Sequence, residues 1–227
     1  MSLFYKMHRL IPSLQTTAKT VTSPLHDLTR CAASSLHTSA ASLRASSSEY
    51  PPPNLSRAAT ADLCDVFHPE DVDVITPNKQ MSIVDPGMNF RDYGGLKRFS
   101  GTISTIKTYE NNPLVRAALS EPGNGRVLVV DGGGSLRCAL LGDNLAEIGA
   151  TNGWHGVVIN GCVRDAEDIA RMDIGVKALN THPLKSSKRD PGLRDVPVTF
   201  GGVTFTPGEF ISADHDGIIV APETLTL

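Results

Sequence analysis

The sequence predicts an α/β domain with a parallel middle portion and a β-rich C-terminal part, and three observations predict it. Two short, almost wholly apolar runs, 126–130 and 156–160, have the character of strands covered on both faces. Each leads through a polar, glycine-containing turn into a helical stretch, 142–149 and 165–172, and strand–helix–strand–helix order argues for parallel pairing. The last third changes character. Residues 198–205, 210–213 and 217–220 are β-rich and separated by turns, as in antiparallel hairpins or a small barrel. Of 227 residues, 40% are hydrophobic but only 5% aromatic, so the core must be built mostly of Val, Ile, Leu and Ala.

Taken in order, 56–67 has a polar start and apolar anchors at Leu63, Val66 and Phe67, the pattern of a helix. Residues 101–108 alternate as a strand does, and 112–120 carry apolar residues at helical spacing until Glu121-Pro122-Gly123 stops them. The buried strand at 126–130 ends at Asp131-Gly132-Gly133-Gly134, and the second buried strand is expected to end at Gly161. A short helix from Asp165 to about Met172 completes the middle portion.

The N-terminal 53 residues differ in kind. Residues 1–48 hold five basic residues against one acid, Asp27, a local balance of +4, so the remainder of a chain whose net charge is −3 carries −7. This segment is basic, rich in Ser, Thr and Ala and nearly free of acids, the composition of an organellar transit peptide. Leu3, Met7, Leu10 and Leu14 share a helical face, which favours the mitochondrion, while the hydroxylated character keeps the plastid open. If the extension is instead an untargeted disordered tail, the protein is cytoplasmic. Pro51-Pro52-Pro53 marks the junction, and residues 54–227 form the folded domain.

No Lys/Arg cluster has the footprint of a nucleic-acid surface, and no run reaches the roughly 18 apolar residues of a bilayer span. The four cysteines form no C-x-x-C pair, which leaves out zinc-ribbon spacing. Cys138 and Cys162 are better read as small buried residues than as nucleophiles. His155, His182 and His215 stand singly and are read as structural or exposed.

Two polar clusters follow buried strands. Gly142-Asp143-Asn144-Leu145 opens a helix, and Gly161-Cys162-Val163-Arg164-Asp165 ends the strand at 156–160. In parallel α/β sheets ligands collect at the carboxyl ends of strands, so both clusters can line one crevice. Amides at the helix start and the planar fork of Arg164 suit a carboxylate, and Asp143, Asp165 and Asp168 offer the hard oxygen ligands preferred by Mg²⁺ or Mn²⁺. A Gly-Asp or Arg-Asp pair at a helix start is more often a simple cap, so residue chemistry alone yields a candidate anion-plus-metal crevice. Asp131-Gly132-Gly133-Gly134 lacks the Lys-Ser/Thr of a phosphate-binding loop.

Several segments resemble one family in order and spacing. They are the run from Arg126 through Asp131-Gly132-Gly133-Gly134 to Arg137, Gly142-Asp143-Asn144-Leu145-Ala146, Gly161-Cys162-Val163-Arg164-Asp165, Asp173-Ile174-Gly175-Val176, Phe200-Gly201-Gly202-Val203, and Ala213-Asp214-His215-Asp216-Gly217-Ile218. The resemblance is to the family of 4-hydroxy-4-methyl-2-oxoglutarate aldolases and regulators of ribonuclease E activity A, and it covers roughly residues 56–225. The family's aldolases resemble one another in an Asp, twenty residues, Arg-Asp, two residues and an acid. Here these are Asp143, then 144–163, then Arg164-Asp165, then Asp168, an Asp where the aldolases more often have Glu. The ribonuclease regulators typically lack the Asp after the Arg, so the resemblance places this chain with the enzymes.

That resemblance implies a swivelling β/β/α fold. It further implies a divalent-metal-dependent lyase that cleaves 4-hydroxy-4-methyl-2-oxoglutarate to pyruvate and decarboxylates oxaloacetate through a shared pyruvate enolate. By similarity, Asp165 holds Mg²⁺ or Mn²⁺ directly and Asp143 holds a metal-bound water. Gly142, Asp143, Asn144, Leu145 and Arg164 bind the substrate, with Arg164 and Asp143 serving the chemistry. The implied assembly is a homotrimer or hexamer with sites at subunit interfaces, where Glu209, Asp214 or Asp216 of a neighbour could act as base. The competing readings are a non-catalytic regulator of an RNA-processing nuclease and a methyltransferase acting on a 2-oxo acid.

Overall fold

The computed structural model describes residues 58–68, 81–189 and 192–227. The N-terminal extension, 1–53, and the first residues of the helix expected at 56–67 lie outside the described residues. The middle of the domain is a parallel sheet: β3 (Phe99–Lys107), β4 (Val127–Asp131), β6 (Gly156–Val163) and β7 (Gly175–Thr181) pair in that order, and β5 (Ala139–Leu141) also pairs β6 in parallel. Antiparallel strands extend it at both sides. β12 (Ile218–Ala221) and β11 (Phe210–Ala213) form a hairpin beside β3, β1 (Ser82–Ile83) pairs β12, β2 (Arg91–Asp92) pairs β7, and β8 (Leu193–Arg194) pairs β3. The expected class, a mixed α/β domain with a parallel middle and β-rich end, is what the chain adopts.

The apolar runs explain the layering. In β4 and β6 every side chain is buried, but alternate residues face opposite layers. Leu128, Val130, Val157 and Ile159 pack toward the helices α2 (Pro113–Leu119) and α3 (Asp143–Thr151). Val127, Val129 and Val158 pack toward the separate hairpin of β9 (Val198–Phe200) and β10 (Val203–Phe205), where Phe200 and Phe205 stack at 4.4 Å. A third, smaller cluster seats α1 (Thr60–Phe67) through Leu63 on Phe210 and Ile219. The start of α1 is fixed from a distance, because Thr60 donates through its amide (2.8 Å) and hydroxyl (2.6 Å) to the buried Asp214 carboxylate. Burial alone would raise the Asp214 pKa, but hydrogen bonds from Thr60, Asp216 and Gly217 outweigh it and hold it below its ordinary value.

Three expectations need correction. β6 does not end at Gly161; it continues to Val163, with Cys162 in register with Asn180 on β7 and Ala139 on β5. The helix expected from Asp165 to about Met172 is a single turn, α4 (Ala166–Ile169). The motif at 173–176 opens a full strand, β7, whose Lys177 is 1% exposed.

Lys177 shows how the sheet edge is closed. Its Nζ lies 2.9 Å from Asp92 Oδ1 on β2, and His215 Nδ1 meets the other oxygen at 3.0 Å. A lysine so deeply buried is sustained only by such a partner, since an uncompensated charge there is costly. Asp92→Ala is therefore expected to destabilise the fold by about 3–5 kcal/mol, read as a fall in the urea midpoint with little change in slope.

Candidate active site

The two polar clusters meet because their strands are neighbours. β5 runs into Gly142, β6 runs into Arg164, and the Arg164 amide donates to the Leu141 carbonyl at 2.9 Å, continuing the parallel pairing past the strand ends. The twenty residues between Asp143 and Arg164 contain most of α3, the return turn and the whole of β6. Both clusters thus lie at the carboxyl ends of adjacent parallel strands, the expected place for a ligand.

Gly142, Asp143, Asn144, Leu145 and Arg164 line one cleft of about 150 Å³. That volume suits a small acid better than a drug-sized molecule, whose pockets run to roughly 300–1,000 Å³. Gly142 caps the nine-residue α3 through its carbonyl, which accepts the Leu145 and Ala146 amides at 3.1 Å each, while the Asn144 amide meets the Asp143 carboxyl. The lack of a side chain at Gly142 is required by its neighbours. A Cβ there would stand 2.7 Å from Asp165 Oδ2 and 3.0 Å from Arg164 Nε.

Asp165 adopts a left-handed backbone conformation, φ 56° and ψ 40°. Aspartate tolerates that region better than most residues, though it still costs about 1–3 kcal/mol. Its carbonyl, not its side chain, receives the Asp168 and Ile169 amides of α4. The carboxylate is left to meet Arg164 Nε at 3.1 Å, where both side chains are about one-third exposed.

The Asp143 carboxyl is held below its ordinary value of 3.8, first by the Asn144 backbone amide and then by the Asn144 side chain at 2.8 Å. Desolvation works against this, and a hydrogen bond with the Asp165 carboxyl and the Arg164 charge add smaller contributions to the lowering. The Asp143 and Asp165 carboxyls thus stand together beside the Arg164 guanidinium at the start of α3. Hard oxygen donors of this kind suit Mg²⁺, which commonly takes one or two carboxylates and completes its shell with water and substrate oxygens. Among the described residues no group of three or more His, Cys, Asp or Glu side chains converges, so an ion here would rely on Asp165 directly, on Asp143 through a water, and otherwise on water and substrate oxygens.

Asp168 is not brought to the cleft. It faces Arg171 Nη1 at 3.1 Å on the exposed side of α4. Within the chain Glu209, Asp214 and Asp216 also lie off the cleft: Glu209 caps the Thr206 amide at 3.1 Å, Asp214 is committed to Thr60, and Asp216 lines a second pocket. Cys138 and Cys162 are buried and burial pushes both thiols up, which makes them poor nucleophiles. His155 bonds the Ser100 carbonyl at 2.9 Å, and His182 accepts the Leu184 amide.

The rest of the cleft lining was missed in the sequence. It is formed by Asn112 and Arg116 at α2 and by Lys185, Ser186 and Lys188 beyond β7. The available signal was Lys185-Ser186-Ser187-Lys188-Arg189, three basic residues in five within an otherwise acidic domain.

The chain is similar to known proteins over most of the folded domain. The profile of the RraA-like family, described as Aldolase/RraA, matches residues 60–220. A protein of Alkalilimnicola ehrlichii named "putative 4-hydroxy-4-methyl-2-oxoglutarate aldolase" is 56% identical over 166 residues, 73% of this chain and 96% of its own length. One of the same name from Halorhodospira halophila is 54% identical over 168 residues, 74% of this chain and 98% of its own. Among solved structures, the RNA-processing inhibitor RraA of a Thermus species is 43% identical with a TM-score of 0.67, covering 74% of this chain and 95% of that one. A Geobacillus kaustophilus structure described as an S-adenosylmethionine:2-dimethylmenaquinone methyltransferase is 46% identical with a TM-score of 0.66, covering 74% and 97%.

Because Asp143 is depressed in the folded chain, its contribution to stability is present above 3.8 and is lost as pH falls through its folded value. Asn144→Ala removes one of the two donors, so the Asp143 carboxyl resonance, followed by carbon NMR, is expected to titrate at a higher pH, nearer 3.8.

Proposed function

This chain belongs to the RraA-like family, and we propose that within it the chain is a divalent-metal-dependent lyase. Its reaction is cleavage of 4-hydroxy-4-methyl-2-oxoglutarate and similar 4-hydroxy-2-oxo acids to pyruvate, with oxaloacetate decarboxylation as a second activity. The observation that carries this is the meeting of Asp143 with Arg164 and Asp165 at the ends of adjacent strands, on a small cleft beside a helix N-terminus. Relatives more than 50% identical that are named as aldolases support it.

In this reading Asp165 would hold Mg²⁺ or Mn²⁺ directly and Asp143 would hold a water on it. The ion, when bound, supplies Lewis-acid polarisation of the C2 carbonyl and screens the carboxylate beside it. The chain's own groups do the rest. The segment Gly142–Leu145 and the Arg164 fork receive the C1 carboxylate and the oxygen at C2, fixing the C3–C4 bond for cleavage. A base removes the C4 hydroxyl proton, the C3–C4 bond breaks, and its electron pair moves onto the C2 oxygen to give the pyruvate enolate. Arg164 is placed to stabilise that developing charge more strongly than the neutral ketone. Protonation at C3 then releases pyruvate. Loss of CO₂ from oxaloacetate generates the same enolate, so one set of groups serves both. No Schiff-base lysine is required.

The base is proposed to come from a neighbouring subunit of a trimer or hexamer. With Asp214 tied into α1, Glu209 and Asp216 are the stronger choices. The basic N-terminal segment is proposed as an organellar address, mitochondrial before plastid. The regulator reading takes support from the likeness to the Thermus RNA-processing inhibitor. A binding surface, however, has no use for a left-handed Asp165 turned onto Gly142 beside Arg164.

The direct test is pyruvate release from 4-hydroxy-4-methyl-2-oxoglutarate and from oxaloacetate, with Mg²⁺, with EDTA, and in Asp165→Ala. Turnover should vanish in the last two conditions. If the wild-type protein turns over neither acid with Mg²⁺, the lyase reading is wrong and co-purification of a nuclease becomes the experiment of interest. Gly142→Ala pushes a methyl group onto Asp165 and Arg164, and is expected to lower kcat/KM about 100-fold while leaving the thermal midpoint nearly unchanged.

A further inference from the structure

A second cavity, of about 180 Å³, lies away from the cleft, between residues 84–90, β7 and the turn that joins β11 to β12. That turn stands at the amino ends of the parallel strands, since Ala213 is in register with Phe99, the first residue of β3. Lys177 lines the cavity although it is 1% exposed. An ammonium carries three N–H donors, and among the described residues Lys177 has Asp92 alone as partner, at 2.9 Å. Buried donors are normally satisfied, so the remaining N–H groups of Lys177 point to an acceptor within the cavity.

The rest of the lining has the opposite charge. Asp85 and Asp216 are exposed at the mouth, and neither forms an ion pair with a described residue. Asp85 uses Oδ1 to accept the Gly87 amide at 2.7 Å, which leaves Oδ2 free of that bond. Val84 and Phe90 supply an apolar wall, with Phe90 backed by Phe200 at 5.9 Å. Both carboxylates sit on backbone fixed in advance: the Asp85 amide donates to the Gly201 carbonyl at 2.9 Å, and the Asp216 amide to Asp214 Oδ1 at 3.0 Å. A simple anion in this cavity would meet the two mouth carboxylates, and a simple cation would meet the buried ammonium. The pattern suits a molecule that carries both charges, and the small volume keeps both ends within reach of one such molecule.

We propose that this cavity is a binding site for a small zwitterionic amino acid with an aliphatic side chain. Its carboxylate accepts from the Lys177 ammonium, its own ammonium meets Asp85 and Asp216, and its side chain packs on Val84 and Phe90. Removal of either charge from the ligand leaves a charged group of the site without a counterpart, the situation in which polar sites discriminate most strongly. The site needs no metal ion and shares no lining residue with the Gly142–Leu145 and Arg164 cleft.

Calorimetric titration of the full chain in EDTA tests this with three probes of one carbon skeleton. They are L-valine, 3-methylbutanoate, which lacks the ammonium, and 2-methylpropylamine, which lacks the carboxylate. L-Valine is expected to bind at least about tenfold more tightly than either of the others. It should also shift the His215 Cε1 proton resonance, assigned by its loss in His215→Gln, because His215 lines the same cavity. Asp85→Asn/Asp216→Asn changes only exposed carboxylates, leaves the Lys177–Asp92 pair intact, and should weaken L-valine about tenfold. Arg164→Ala should leave L-valine binding unchanged. Failure of L-valine to bind would overturn the proposal and leave water as the acceptor for Lys177. Equal binding of 3-methylbutanoate or of the amine, full affinity in the double variant, or loss of binding in Arg164→Ala would overturn it as well, the last by moving the ligand to the cleft.

Discussion

The hydrogen bond from the Arg164 amide to the Leu141 carbonyl is the contact on which the proposed chemistry depends. It is the last rung of a parallel ladder between β5 and β6, and it sets the two polar clusters side by side. A parallel connection needs a crossover of a dozen residues or more, and here α3 and its return turn supply it. The separation of Asp143 from Arg164-Asp165 is therefore a length dictated by topology. The helix must cross back over the sheet, and β6 must run its full length, before the second cluster can face the first.

Burial of the ladder on both faces makes this placement rigid. Leu128, Val130, Val157 and Ile159 anchor the helices on one side, and Val127, Val129 and Val158 anchor the β9–β10 hairpin on the other. A slip of one residue in either strand would exchange the two sets of side chains, so register is strongly specified. The glycines serve the same end. Gly156 and Gly175 leave space for Phe99, where a Cβ would stand 2.2 Å and 2.0 Å from its ring, and Gly142 leaves space for Asp165. The residues proposed to carry function are held by this frame, with Asp165 in a left-handed conformation beside the Asp143 carboxyl.

Much of this was legible in the sequence. The apolar runs at β4 and β6 announced themselves because strands buried on both faces read as continuous hydrophobic stretches, and the span of β11 coincides with its expected boundaries. Gly161 misled because glycine usually punctuates; in the middle of a covered strand it instead lies beneath Leu140. β5 is only three residues long, too short for any periodicity to show. β7 was hidden by Lys177, whose burial is permitted only by Asp92, a residue 85 positions away and visible only in the fold. The basic wall was missed for a related reason. Arg116 and Lys188 fall in none of the sequence motifs, and nothing short of packing α2 near the segment after β7 brings them to one cleft.

The central claim is that the Gly142–Leu145 and Arg164–Asp165 crevice binds the pyruvyl unit and stabilises its enolate. Exchange of the pyruvate methyl protons with D₂O, followed by proton NMR with Mg²⁺ present, tests that step without any aldol substrate. The account predicts exchange catalysed by the wild-type protein and abolished in both Asp165→Asn and Arg164→Ala. Exchange that proceeds equally in the two variants would place the chemistry elsewhere and contradict it.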